Sequence, residues 1–162
     1  MSLISSLLNL TRSTHLVSLA LRLSERQQFP TSLINEIVEM HGPHLRGVRF
    51  MGFAPDLRGL NSLMRCDALE RLAIPIPAGD IVSFAQFCRN TGTGHVQQNG
   101  FASVLTASTT LHTLVDMVNH GTYGRSVTTD RVRPLLEAVP SLTRVVSENR
   151  LWTVRDDHLL SS

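Results

Sequence analysis

Aliphatic positions recur along this chain in one short rhythm. In Leu69-Glu70-Arg71-Leu72-Ala73-Ile74-Pro75-Ile76 they fill the first, fourth, sixth and eighth places. The same spacing fits Leu16, Leu19, Leu21 and Leu23, and again Leu45, Val48 and Phe50. Leu111 with Leu114 and Leu142 with Val145 match it less fully. The last three places alternate, which predicts a half-buried strand, and the opening step of three carries the chain round a turn into it.

Helical spacing fills the intervals. Leu3, Leu7, Leu8 and Leu10 share one face, with Ser2 available as a cap. Pro30 holds Phe29 extended, and Thr31 or Ser32 caps a helix with a stripe of Leu33, Ile34, Ile37, Val38 and Met40. His41-Gly42-Pro43 stops it, the glycine being able to take a left-handed cap. Pro55-Asp56 opens a shorter helix through Leu57, Leu60, Leu63 and Met64, and Asp80 precedes one carrying Ile81, Val82, Phe84, Ala85 and Cys88. Residues 90–100 and Gly121 to Gly124 read as loops, with a helix over 101–107. Thr129 or Asp130 starts a helix with Val132, Leu135, Leu136 and Val139, Pro134 lying near its tolerant first turn and Pro140 ending it. Residues 149–154 read as a last extended piece covering the array, and 156–162 as a frayed tail.

The leading leucines stand 29, 24, 42 and 31 residues apart. A period of about 20–29 residues with one strand and one helix per unit belongs to leucine-rich repeats, whose units bury their apolar faces only by stacking. The expected fold is therefore α/β: a short, irregular leucine-rich-repeat solenoid, ribonuclease-inhibitor-like, of four or five strand-helix units. It forms a single domain over 1–155, with a loop insertion near 90–100. The asparagine of the ninth place is kept only as Asn119; Ser24, Phe53, Pro77 and Arg150 stand at its equivalents. In the fourth unit Asp116 occupies an inward place, so either the strand slips by one, turning Val115 and Met117 inward, or a carboxylate is buried.

Composition changes this picture little. The chain has 162 residues, 24 of them leucine, with 42% hydrophobic and 5% aromatic residues, and repetitive leucine packing accounts for that bias. Every apolar run is broken too early to span a membrane, and the start lacks the basic segment of a secretory signal. The expected location is cytoplasmic or nuclear, with Cys66 and Cys88 as reduced thiols. A net charge of +2 with few aromatics points away from nucleic acid. All 15 basic residues are arginine, which an arginine-favouring genome explains without a functional cause.

Leu135 to Val145 (Leu-Leu-Glu-Ala-Val-Pro-Ser-Leu-Thr-Arg-Val) resembles the helix-to-strand joint of leucine-rich repeats in F-box proteins, as do His44 to Phe50 and Cys66 to Leu72. The closing Asn149-Arg-Leu-Trp-Thr-Val-Arg155 resembles the tails of F-box-like proteins of mushroom-forming fungi. The resemblance covers about residues 3–155. It implies a substrate-holding repeat region of a ubiquitin-ligase receptor, and no catalytic residue. The F-box that docks on the ligase adaptor is not found, because the chain starts inside what reads as a repeat. Beside a ligase, a chain without lysine would also offer no side-chain acceptor for ubiquitin.

His41 and His44 flank Gly42-Pro43 in a turn without zinc-ligand spacing. Gly92-Thr93-Gly94 lacks the pattern of a phosphate cradle. The alternative to a recognition module is a small α/β hydrolase or metal-binding protein using His and Asp residues around His112, Asp116 and His120. The preferred reading has no catalysis and no cofactor. It places an unidentified protein ligand on the concave strand face, at Arg22, Arg49, Met51 and Arg71, then Thr113, Val115 and Met117, then Arg144 and Glu148. Arginine and methionine are common in protein contact surfaces.

Overall fold

In a computed structural model of the chain, the structure describes residues 16–22, 31–51, 62–63, 65–75, 105, 108–117, 128–147, 150–155 and 158–161. They form a mixed α/β arrangement around one seven-stranded sheet whose spatial order is its chain order. The strands are β1 (Ser18–Arg22), β2 (Gly47–Met51), β3 (Arg71–Ile74), β4 (Thr113–Asp116), β5 (Arg144–Ser147), β6 (Arg150–Arg155) and β7 (His158–Ser161). β1 to β5 are parallel, each joined to the next by a long crossover, as parallel neighbours require. β6 and β7 return antiparallel. The tail expected to fray therefore contributes a strand: β7 pairs with β6 from Trp152↔Ser161 to Arg155↔His158. Backbone pairing along an open sheet edge orders a segment that shows no hydrophobic alternation of its own.

Each parallel strand begins two residues after a leading leucine, and one hydrogen-bonding device recurs at every junction. The carbonyl of Val17 accepts from the N–H groups of Arg46 and Gly47, and that of Arg46 from Glu70 and Arg71. Glu70 accepts from His112 and Thr113, and His112 from Thr143 and Arg144. Before β2, β3 and β5 a tight turn delivers the leucine. Leu45 N–H donates to Gly42, Leu69 to Cys66 and Leu142 to Val139, each to a carbonyl three residues back. Leu111 instead donates to the hydroxyl of Ser108 at 3.0 Å, while the Ser108 carbonyl accepts from Ser141 Oγ at 2.8 Å.

The leading leucines Leu45, Leu69, Leu111 and Leu142 are buried. Beyond them one row of the sheet runs Leu19, Val48, Leu72, Leu114, Val145, Trp152, and the next sets Leu21 beside Phe50. Helix α1 (Thr31–His41) lays Ile34 and Val38 on this face, and α2 (Thr129–Ala138) lays Val132, Leu135 and Leu136 there. All belong to one apolar cluster with Leu63, Cys66 and Leu105. Burial of such side chains contributes roughly 1.5–3 kcal/mol each, so this layer is what holds the helices to the sheet. His41 is buried at the end of α1, where its Nδ1 accepts a long 3.5 Å hydrogen bond from Leu16 N–H.

Two local expectations are corrected. His41-Gly42-Pro43 does end α1, but through a 3-10 turn over Gly42–His44, and Gly42 is not left-handed. Space favours glycine there: a Cβ would lie 3.2 Å from the carbonyl oxygen of Arg65 and 3.4 Å from Val38 Cγ1, a tight fit. Pro134 falls in the second turn of α2, because the helix already bonds Arg131 and Val132 N–H to Thr128. Its ring therefore removes one hydrogen bond from the helix interior. The expected helices at 3–11, 80–88 and most of 55–64 and 101–107 lie outside the described residues, as do the loops at 90–100 and 121–124.

Candidate functional site

The helices cover one face of the sheet. Side chains alternate along a strand, so the other face carries the odd residues of β1 to β5 in rows fixed by the register. The first row is Ser18, Gly47, Arg71, Thr113, Arg144 and Thr153; the second is Ala20, Arg49, Ala73, Val115, Val146 and Leu151. Arg22 and Met51 pair in a third row, towards which Met117 continues from Val115. This is the face on which the sequence placed its candidate protein contacts.

The structure sorts those candidates. Arg22, Arg49, Arg71 and Arg144 are exposed, and Met51 and Met117 are half-buried. Thr113 and Val115, expected to be open, are only 8% and 7% exposed, and Ala73 beside them 3%. They sit in central strands hemmed in by neighbours on both sides, so they form the floor. Glu148 lies outside the described residues. The sequence reading missed Leu151 and Thr153, which β6 adds to the same two rows; Trp152 between them faces the core, and that alternation was the available signal.

Arg49 does more than project. Its Nη2 donates to the sulfur of Met117 at 3.7 Å, from β2 to the end of β4. The side chain therefore crosses β3 above Ala73, its register partner, whose small side chain leaves room. The long stem packs on the floor while its charged head stays wet. Among the described residues no acidic side chain stands in the two rows, and none of Arg22, Arg71 and Arg144 is ion-paired. The neighbouring acid Glu70 lies just before β3 and pairs with Arg46 at 3.5 Å. Glu39 pairs with Arg65 at 3.3 Å, away from this face.

Asp116 resolves the question left by the fourth unit. β4 does not slip: Thr113, Leu114 and Val115 align in step with β3 and β5. The carboxylate is buried on the helix-covered face, accepting a 3.0 Å hydrogen bond from Ser147 Oγ. This also separates it from His112, four residues back and about 13 Å along the strand. His112 is exposed, with its Nδ1 3.0 Å from Thr113 Oγ1. The acid/base pair of the hydrolase reading is not assembled from these two groups, and His120 lies outside the described residues.

Among the described residues no cluster of three His, Cys, Asp or Glu side chains could hold a metal ion, and no helix is long and apolar enough to cross a membrane. An apolar gap under β1 and β2, between Leu19, Ile34, Phe50 and Leu63, measures about 10 Å³. That is room for one water at most, and its apolar lining favours a dry void. Cys66 is a buried free thiol; burial first, and the nearby Asp67 carboxylate second, push its pKa up to about 11, so it stays protonated and unreactive at neutral pH. No protein-family model, curated protein or solved structure matches this chain.

Proposed function

We propose that this chain is a leucine-rich-repeat recognition module that holds a protein ligand on the open face of its sheet, without catalysis. It resembles the substrate-holding part of F-box ubiquitin-ligase receptors. The observation that carries the reading is the set of exposed arginines on two adjacent rows, Arg71 and Arg144 on the first and Arg49 on the second, around a buried floor of Ala73, Thr113 and Val115. Exposed cations without an ion pair, on a face that no helix covers among the described residues, contribute little to folding and much to selecting a partner. The repeated carbonyl sharing from Val17 to His112 supports a stack of equivalent units.

The test is affinity capture from a host lysate. The full chain is compared with an Arg49→Glu, Arg71→Glu, Arg144→Glu variant of matched folding. A protein retained by the first and lost by the second supports the reading, and its ubiquitination with the ligase adaptor present decides the receptor question. The same proteins on both, or none on either, would overturn it.

A further inference from the structure

Resting on that reading, we propose that the ligand is an extended acidic segment lying across the strands, with carboxylates spaced to meet Arg71 and Arg144 together. The register puts Arg71, Thr113 and Arg144 in one row. Thr113 is buried between them, so two guanidinium groups rise on either side of a low floor. Adjacent strands lie about 4.8 Å apart, which separates the two arginine positions by about 9.6 Å.

Both arginines are exposed and, among the described residues, have no acidic partner. A guanidinium takes a carboxylate through two parallel N–H···O bonds, so each of these exposed arginines can receive a partner's acid without giving up a contact within the fold. The neighbouring row, two residues on along each strand, is uncharged at Val115 and Val146. The occupant thus needs an acidic edge over the first row and an apolar edge over Val115 and Val146, beyond the point where Arg49 crosses Ala73.

A polyproline II segment has this shape. It has three residues per turn and rises about 3.1 Å per residue, so every third side chain returns to one edge after about 9.3 Å. A β-strand returns a side chain to one edge after about 6.7 Å, out of step with the arginines. The inferred recognition unit is Glu-Xaa-Xaa-Glu with an apolar residue between the acids. Its stiffness also limits the entropy lost on docking.

The experiment measures fluorescence anisotropy of labelled peptides against the full chain. The peptides are four repeats of Glu-Leu-Pro, four repeats of Gln-Leu-Pro, and a peptide of the first composition with its glutamates contiguous. The first is expected to bind at least about tenfold tighter than either control, and to weaken as salt rises. An Arg71→Glu, Arg144→Glu variant with native tryptophan emission should lose it and gain four repeats of Lys-Leu-Pro. Equal binding of the contiguous or glutamine peptide overturns the inference, as does an unaffected double variant. Tighter binding of a single-stranded oligonucleotide, or of a helical peptide with glutamate at every seventh place, also overturns it. If the peptides fail while the arginine variant still loses its lysate partner, this inference alone falls; if both fail, so does the recognition reading.

Discussion

Ser147 Oγ donates a 3.0 Å hydrogen bond to Oδ2 of Asp116 inside the helix-covered layer of the sheet. The same layer carries leucine, phenylalanine and isoleucine in the earlier units, at Leu21, Phe50 and Ile74. A buried polar pair is expensive to break and inexpensive to replace whole. Ser147→Ala is expected to destabilise the protein by about 1–3 kcal/mol. Asp116→Ala is expected to cost at least as much, and the double variant less than the sum of the two singles, because each single takes this hydrogen bond from a buried partner. Urea denaturation of the two single variants and the double decides; a strictly additive result would show that the pair is not coupled.

Cys66 provides a pH prediction whose sign follows from linkage. Its thiol titrates near 9.0 when unfolded and about 11 in the fold. Below pH 9 both states are protonated and the group is silent. Above it the unfolded state loses its proton first, so stability falls with rising pH and levels off beyond 11, a loss of at most about 3 kcal/mol. Cys66→Ala should remove this dependence between pH 9 and 11. At neutral pH a thiol reagent should label Cys66 only at the rate of unfolding.

Gly42 is a position where volume rather than backbone angle decides. A methyl group there would press on the Arg65 carbonyl, which is backbone and gives way poorly. Gly42→Ala is expected to destabilise by about 1–3 kcal/mol, the usual penalty of overpacking. Gly47→Ala meets only the Ser18 hydroxyl at 3.3 Å, a side chain that can rotate, and should cost far less. Thermal melting of the two variants side by side makes the comparison; equal melting temperatures would refute it.

Arg71 and Arg144 should be dispensable for folding. Both are exposed and without an ion pair among the described residues, so alanine at either is expected within about 0.5 kcal/mol of the parent. A large destabilisation would move these residues from recognition to structure.

The single tryptophan reports on the end of the array. Trp152 is 1% exposed, paired with Val145 in the core row, and its indole N–H has no hydrogen-bond partner among the described residues. Its emission should be blue-shifted in the native state and move red on unfolding. A midpoint matching that of far-ultraviolet circular dichroism is expected if β6 unfolds with the parallel strands; two separate transitions would show that it does not.

The strand positions were legible because their signal is local. A leading leucine, a step of three and a two-residue alternation all lie within eight residues, and β1 to β5 each start where that phrase puts them. The exposed arginines could be assigned to a face on the same ground. What could not be read depended on neighbours remote in sequence. Val115 and Ala73 are outward by alternation yet buried by the strands on either side. Gly42 is favoured because of Arg65, and the strand at His158–Ser161 exists because β6 offers it an edge. The Arg49 to Met117 contact spans 68 residues of chain, and no pattern within one unit announces it.

The reversal at β6 has a consequence for assembly. A parallel stack can in principle grow indefinitely, since the far side of each unit is a mould for the next. Here the far side of β5 is already filled by a strand running the opposite way. The mould is closed on that side, so the arginine row extends no further there by addition of another like unit or another molecule's β1. The spacing between Arg71 and Arg144 is therefore a single finite gauge instead of a repeating lattice.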